Sequence, residues 1–141
     1  MKNQKFVILI AVLITAFTFQ EEPWKRNQLM DPGTLAAKMN DASSPKPLII
    51  DVGPAGLIKD AIDLGPAHEE ENLNKFKDLL EKEKKDREIV IYCGCCPFKN
   101  CPNVRPAFTL LNTMKFTNAH LLNLQQNLKV DWISKGYPMA K

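Results

Sequence analysis

Ile89-Val90-Ile91-Tyr92-Cys93-Gly94-Cys95-Cys96-Pro97-Phe98-Lys99-Asn100-Cys101 is the stretch that decides the fold. Its first four residues form a short, continuous apolar run, which suits a strand covered on both faces. The next nine hold all four cysteines of the chain. Beyond them, Phe108, Leu111 and Met114 recur at three-residue steps between Pro106 and Met114, the spacing of a helix that buries one side. A loop running from the carboxyl end of a strand into a helix is where α/β proteins bind ligands, so the cysteine run is the candidate site.

Working outward, Leu48-Ile49-Ile50-Asp51-Val52 is a second apolar run, ended by Gly53-Pro54. Ala61 to Leu64 is a weaker strand candidate, and Ala119 to Leu124 a third clear strand. Leu73, Phe76, Leu79 and Leu80 recur at helical spacing, and the charged run from Glu81 to Asp86 reads as the solvated end of that helix. Asp31-Pro32-Gly33-Thr34 reads as a helix start, with Asp31 capping free N–H groups. A final helix is predicted from Leu128 to Ser134, stopped by Gly136 and Pro138. Strands alternating with helices predict an α/β fold in three layers, a mainly parallel central sheet flanked by helices.

At the N-terminus, Lys2 and Lys5 precede an apolar stretch from Phe6 to Phe19, followed by Glu21-Glu22. A basic start, an apolar core of roughly 7 to 15 residues and small residues near its end describe a secretory signal over residues 1–20. The alternative is a retained membrane anchor, although the stretch is short against the ~20 residues that span a bilayer. Residues 21–28 are expected to lie extended along the surface. Export implies a periplasmic or extracellular protein, membrane-anchored only if the first segment is kept, with no membrane contact once it is cut. Removing Lys2 and Lys5 leaves 17 basic against 16 acidic side chains, a net charge of +1. Such a balance gives no reason to expect nucleic acid as a partner.

The order of these runs resembles the rhodanese family of sulfurtransferases. Leu48-Ile49-Ile50-Asp51-Val52 resembles the family's first core strand with its Asp-Val pair, and Ile58-Lys59-Asp60-Ala61-Ile62 its Gly-His-Ile-Pro-Gly-Ala segment. Ile89-Val90-Ile91-Tyr92-Cys93 resembles the strand that delivers the nucleophilic cysteine, and Trp132-Ile133-Ser134-Lys135-Gly136-Tyr137-Pro138 the closing Trp-x-x-x-Gly-Tyr-Pro element. The resemblance implies a rhodanese-like domain over residues 29–141. Two departures stand out. Gly53 replaces the arginine that follows Asp-Val, and the active loop is enlarged, so that Arg105 lies 12 residues beyond Cys93.

What the resemblance implies is a persulfide on Cys93, formed from a small sulfur-containing anion such as thiosulfate and passed to a thiol acceptor or reductant. The chemistry requires a thiolate, favoured by nearby N–H donors or positive charge. Arg105 and Lys99 are the candidate anion-binding cations. Cys95, Cys96 and Cys101 are candidate supporting or resolving thiols, able to turn an oxidised Cys93 into a disulfide; disulfides that merely brace the loop are the structural alternative. No cofactor is needed for this chemistry. The competing expectation is a thiolate site for zinc or copper formed by Cys93, Cys95, Cys96 and Cys101. A catalytically inactive binding module is the third. His68 and His120 are remote in sequence from the cluster, and His120 is expected to be a core or edge residue.

Overall fold

The computed structural model describes residues 21–141, so the expected signal or anchor at residues 1–20 lies outside the described residues. Five strands form one sheet in the order β1-β5-β4-β2-β3: β1 (Leu29–Met30), β2 (Leu48–Asp51), β3 (Ile62–Asp63), β4 (Ile89–Tyr92) and β5 (Ala119–Leu122). Every neighbouring pair is parallel. β4 is central, with Ile91 level with Ile50 on one side and Leu121 on the other. Its four residues are all buried, the property that its unbroken apolar run encodes.

Alternate side chains leave the sheet on opposite faces and build two cores. Ile50, Ile89, Ile91 and Leu121 pack with Phe76 and Leu80 of α2 (Glu70–Leu80) and with Phe108 and Leu111 of α3 (Val104–Thr113). Ile49, Val90, Tyr92 and Leu122 pack on the other face with Leu35 and Ala36 of α1 (Pro32–Asn40), Leu128 of α4 (Leu128–Asp131) and Trp132. The fold is therefore a three-layer α/β fold with a wholly parallel sheet.

Most elements fall where the apolar spacing predicts them. The Asp31 side chain accepts from the N–H groups of Gly33 and Thr34 at 2.8 and 3.3 Å, capping α1. Two expectations are corrected. The last helix is a single α-turn followed by a 3₁₀ turn (Ile133–Lys135): the α-helix breaks at Trp132, whose φ −128° and ψ −64° leave the helical range, and Gly136, left-handed with φ 72°, ends the 3₁₀ turn. Residues 21–28 do not simply lie extended on the surface: Trp24 is 4% exposed, seated edge-on against Phe98 and Phe108 at 5.9 Å, and residues Arg26–Gln28 form a 3₁₀ turn leading into β1. Among the described residues no helix is long and apolar enough to cross a membrane.

Candidate functional site

Tyr92 ends β4 at the carboxyl edge of the sheet, and Cys93 follows it immediately. Cys93 is 1% exposed, held in the core between the sheet and α3. From there the chain passes through Gly94, Cys95 and Cys96, makes a 3₁₀ turn over Phe98–Asn100, and returns at Cys101, also 1% exposed, just before α3. The loop is fixed by Phe98 N, which donates to Leu124 O at 3.1 Å, and by Leu128 N, which donates to Gly94 O at 2.9 Å.

All four cysteines are free. The sulfurs of Cys93, Cys95 and Cys101 lie within 4.8 Å of one another, with Cys93 to Cys95 at 3.4 Å. Cys95 is exposed and Cys96, whose sulfur is 3.2 Å from that of Cys95, is half-buried. A buried pair thus stands behind an exposed thiol.

The members of the pair differ. The Cys101 thiol is pulled down, first by its interaction with the Cys93 thiol, against the opposing effect of burial, and further by the backbone N–H groups of Asn103 and Val104. These donors open α3, where free N–H groups and the helix dipole favour an anion. Cys93 is pushed up far above the ordinary thiol range, first by donating to Cys101 and then by burial, with Asn103 acting in the opposite direction. Cys96 is pushed up to about 11 by burial and then by Cys95, and Cys95 is pushed up by burial. The surroundings of Cys101 thus favour its thiolate form, and those of Cys93 its thiol form.

Asn103, which the sequence does not single out, and His68, which is remote from the cluster in sequence, complete the surroundings of Cys93. Asn103, 3% exposed, donates from Nδ2 to the Cys93 sulfur at 3.5 Å, and its Oδ1 meets both the backbone N (3.1 Å) and Nδ1 (2.7 Å) of His68. His68 arrives because the chain after β3 zips onto the end of β2, Leu64 N donating to Asp51 O and Ala67 N to Val52 O. Sequence distance hides this contact. The usable signal was Asn103 itself, a strong helix-capping type standing two residues after Cys101.

The candidate cations have contacts of their own. Arg105 lies with its guanidinium 5.5 Å from the Trp24 ring centre and donates to the carbonyl of Glu21 at 3.4 Å, so its interactions strap the N-terminal segment to α3. Lys99 is exposed on the 3₁₀ turn and lines a groove of about 370 Å³ with Phe98, Asn123 and Gln125, and no cysteine is among the lining residues. His120 is half-buried in β5 with Nε2 3.0 Å from Asn118 Oδ1, a structural role as expected.

Three thiols this close match a soft-metal site in donor type and spacing. With metal–sulfur bonds of about 2.3 Å, sulfurs in a shared shell stand roughly 4 Å apart, so small side-chain rotations would bring Cys93, Cys95 and Cys101 onto one ion. The residues fit a three-thiolate set.

No family model matches the chain, and no curated protein matches it. Among solved structures, the Alr3790 protein from Anabaena sp. is similar with a TM-score of 0.57 and 19% identity, over 79% of this chain and 90% of that one. A variant of EanB in complex with hercynine is similar with a TM-score of 0.58 and 21% identity, over 81% of this chain. The chain spans only 27% of EanB. At these identities the likeness establishes the α/β fold.

Proposed function

We propose that this chain is an exported sulfurtransferase or sulfane-sulfur carrier of the rhodanese type, with the persulfide on Cys93 and Cys101 as the neighbouring thiol that takes up its proton. The observation that carries the reading is the buried Cys93–Cys101 pair at the amino end of α3, where backbone N–H groups favour one negative charge. The Cys101 thiolate acts as general base and takes the Cys93 proton at the moment of attack, so that the negative charge passes to a Cys93 thiolate. That thiolate attacks the outer sulfur of thiosulfate; a new S–S bond forms, the old one breaks, and sulfite leaves with the bonding pair. An acceptor thiolate then attacks the outer sulfur and displaces Cys93 as thiolate. Alternatively Cys101 attacks the inner sulfur, expelling hydrosulfide and leaving a Cys93–Cys101 disulfide, which a thiol reductant must open. Cys95, exposed and in contact with Cys93, is the thiol an acceptor meets first. Arg105 and Lys99 remain the candidate cations for the donor anion in this reading, alongside backbone N–H groups of the loop and the α3 N-terminus.

Intact-mass analysis of reduced protein after thiosulfate treatment tests this. Wild type is expected to gain one sulfur, Cys93→Ala none, and Cys101→Ala one sulfur at a rate about tenfold lower, since it has lost the proton acceptor. Undiminished sulfur uptake by Cys93→Ala would move the nucleophile to another cysteine.

A second reading is favoured by the Cys93, Cys95 and Cys101 triangle. Three soft thiolates suit Cu(I), whereas zinc requires a fourth ligand, which Cys96 would have to supply. Here the ion would be held by the same buried pair with Cys95 as the exchangeable outer ligand. Anaerobic titration of the reduced protein is expected to show one Cu(I) bound per chain, lost in Cys101→Ala. Binding of neither Cu(I) nor Zn(II) by protein with all thiols free would eliminate the reading.

A further inference from the structure

Asn103 occupies the N-cap position of α3, where an asparagine side chain ordinarily accepts from the helix's own N–H groups, yet it makes no capping bond. Its side chain is spent on His68 and Cys93 instead. A backbone N–H can only donate, so the Asn103 atom facing His68 N must be the amide oxygen, and the atom facing the Cys93 sulfur must be the NH2 group. For the same reason the Nδ1 of His68, 2.7 Å from that oxygen, is the protonated ring nitrogen. Two donors from one residue thus hold the oxygen, and rotating the amide by half a turn would place NH2 against both of them. Only one orientation survives, and it aims an N–H at Cys93.

We infer that His68 and Asn103 are a positioning pair for the Cys93 sulfur: His68 locks the Asn103 amide, and the amide gives Cys93 an N–H donor whenever that sulfur is anionic. The inference deepens the sulfur-carrier reading and rests on it for its chemical meaning. Cys93 is anionic twice in that cycle, as it attacks the donor and as it leaves the acceptor's new persulfide. A hydrogen bond to an ionised sulfur is stronger than one to a neutral thiol, so the donor lowers the barrier at both steps. The backbone N–H groups of Asn103 and Val104 meanwhile face Cys101. One residue therefore supplies polar groups to both sulfurs of the pair, from its side chain and from its main chain. Nothing in a bracing role would require the amide to point its NH2 at a sulfur.

The test compares rates of persulfide formation at Cys93 with thiosulfate, resolved by peptide mass, with alkylation of the exposed Cys95 by iodoacetamide as an internal control. Asn103→Ala is expected to slow Cys93 about tenfold, in line with loss of one hydrogen bond to a charged group. His68→Ala is expected to slow it about threefold, and Cys95 alkylation should stay within twofold in both. His68→Asn is expected to recover the wild-type rate, because its amide N–H can reach the place of Nδ1–H. Equal impairment of His68→Ala and His68→Asn, or an unchanged Cys93 rate in Asn103→Ala, would overturn the inference. If wild type takes up no sulfur, the carrier reading falls by itself. The same ordering of variants is then read from modification of Cys93 by methyl methanethiosulfonate, which needs the same thiolate, and absence of that ordering overturns the positioning role independently.

Discussion

Gly53 makes room for Cys93. A Cβ at residue 53 would overlap the Cys93 sulfur and lie 3.1 Å from its Cβ, so the position that the rhodanese resemblance assigns to arginine cannot carry a side chain beside this thiol. Asp51 holds Gly53 in place through Oδ1, which accepts its N–H at 2.9 Å, while Oδ2 is buried without a partner. Burial is the main reason that this carboxyl is pushed from 3.8 up to about 7. The folded state therefore binds a proton that the unfolded state releases at lower pH. Stability from this group is complete below about 3.8 and is lost as the pH rises through about 7. Thermal unfolding of wild type is expected to lose on the order of 2 kcal/mol between pH 5 and 8, and Asp51→Asn to show a flatter profile over that range. An identical slope in the two proteins would assign the dependence to other groups. An acid at the end of a buried strand, just before Gly53-Pro54, has few uses beyond binding loop N–H groups, so this role of Asp51 is legible in the residues themselves. Asn103 and His68 are not, since 35 positions separate them and only the pairing of the β3 tail with β2 brings them together.

At the scale of elements, the loop between β4 and α3 is ordered by partners on several sides. Trp24 is the least expected of them. Its neighbours Glu21, Glu22, Lys25 and Arg26 are polar, and a lone aromatic residue carries no periodicity, so the sequence gives no sign that it is core. In the folded chain it packs on Phe98 of the loop and Phe108 of α3, while Arg105 covers its ring. Trp24→Ala is expected to cost about 3 to 5 kcal/mol, measured by urea denaturation, and to speed hydrogen exchange at Phe98 more than at Ile91. Uniform exchange acceleration at both positions would mean that the ring supports the whole core and not the loop in particular. Helix α1 was legible from its Asp31 cap, and α2 and α3 from the helical spacing of their apolar residues. The last one was not, because Trp132 faces the core whether the segment is helical or turning.

Across the whole molecule, the cysteine loop leaves the middle strand of the sheet and touches both helical layers. Cys93, Cys96, Phe98 and Cys101 pack into the core beneath α2 and α3. Gly94 is wedged on the other side, where an added Cβ would stand 2.6 Å from Leu128 Cβ and 2.8 Å from Ala55 Cβ. The three-layer arrangement followed from the alternation of apolar runs, whereas the convergence of three sulfurs depended on how a nine-residue loop is pinned from both faces, which no local pattern records. The result of that pinning is kinetic shelter. Cys93 and Cys101 are 1% exposed while Cys95 is exposed, so a reagent in solution meets Cys95 first and reaches the buried pair only through local opening of the loop. The outer thiol ages at the rate of encounter, and the inner pair at the rate at which the loop opens.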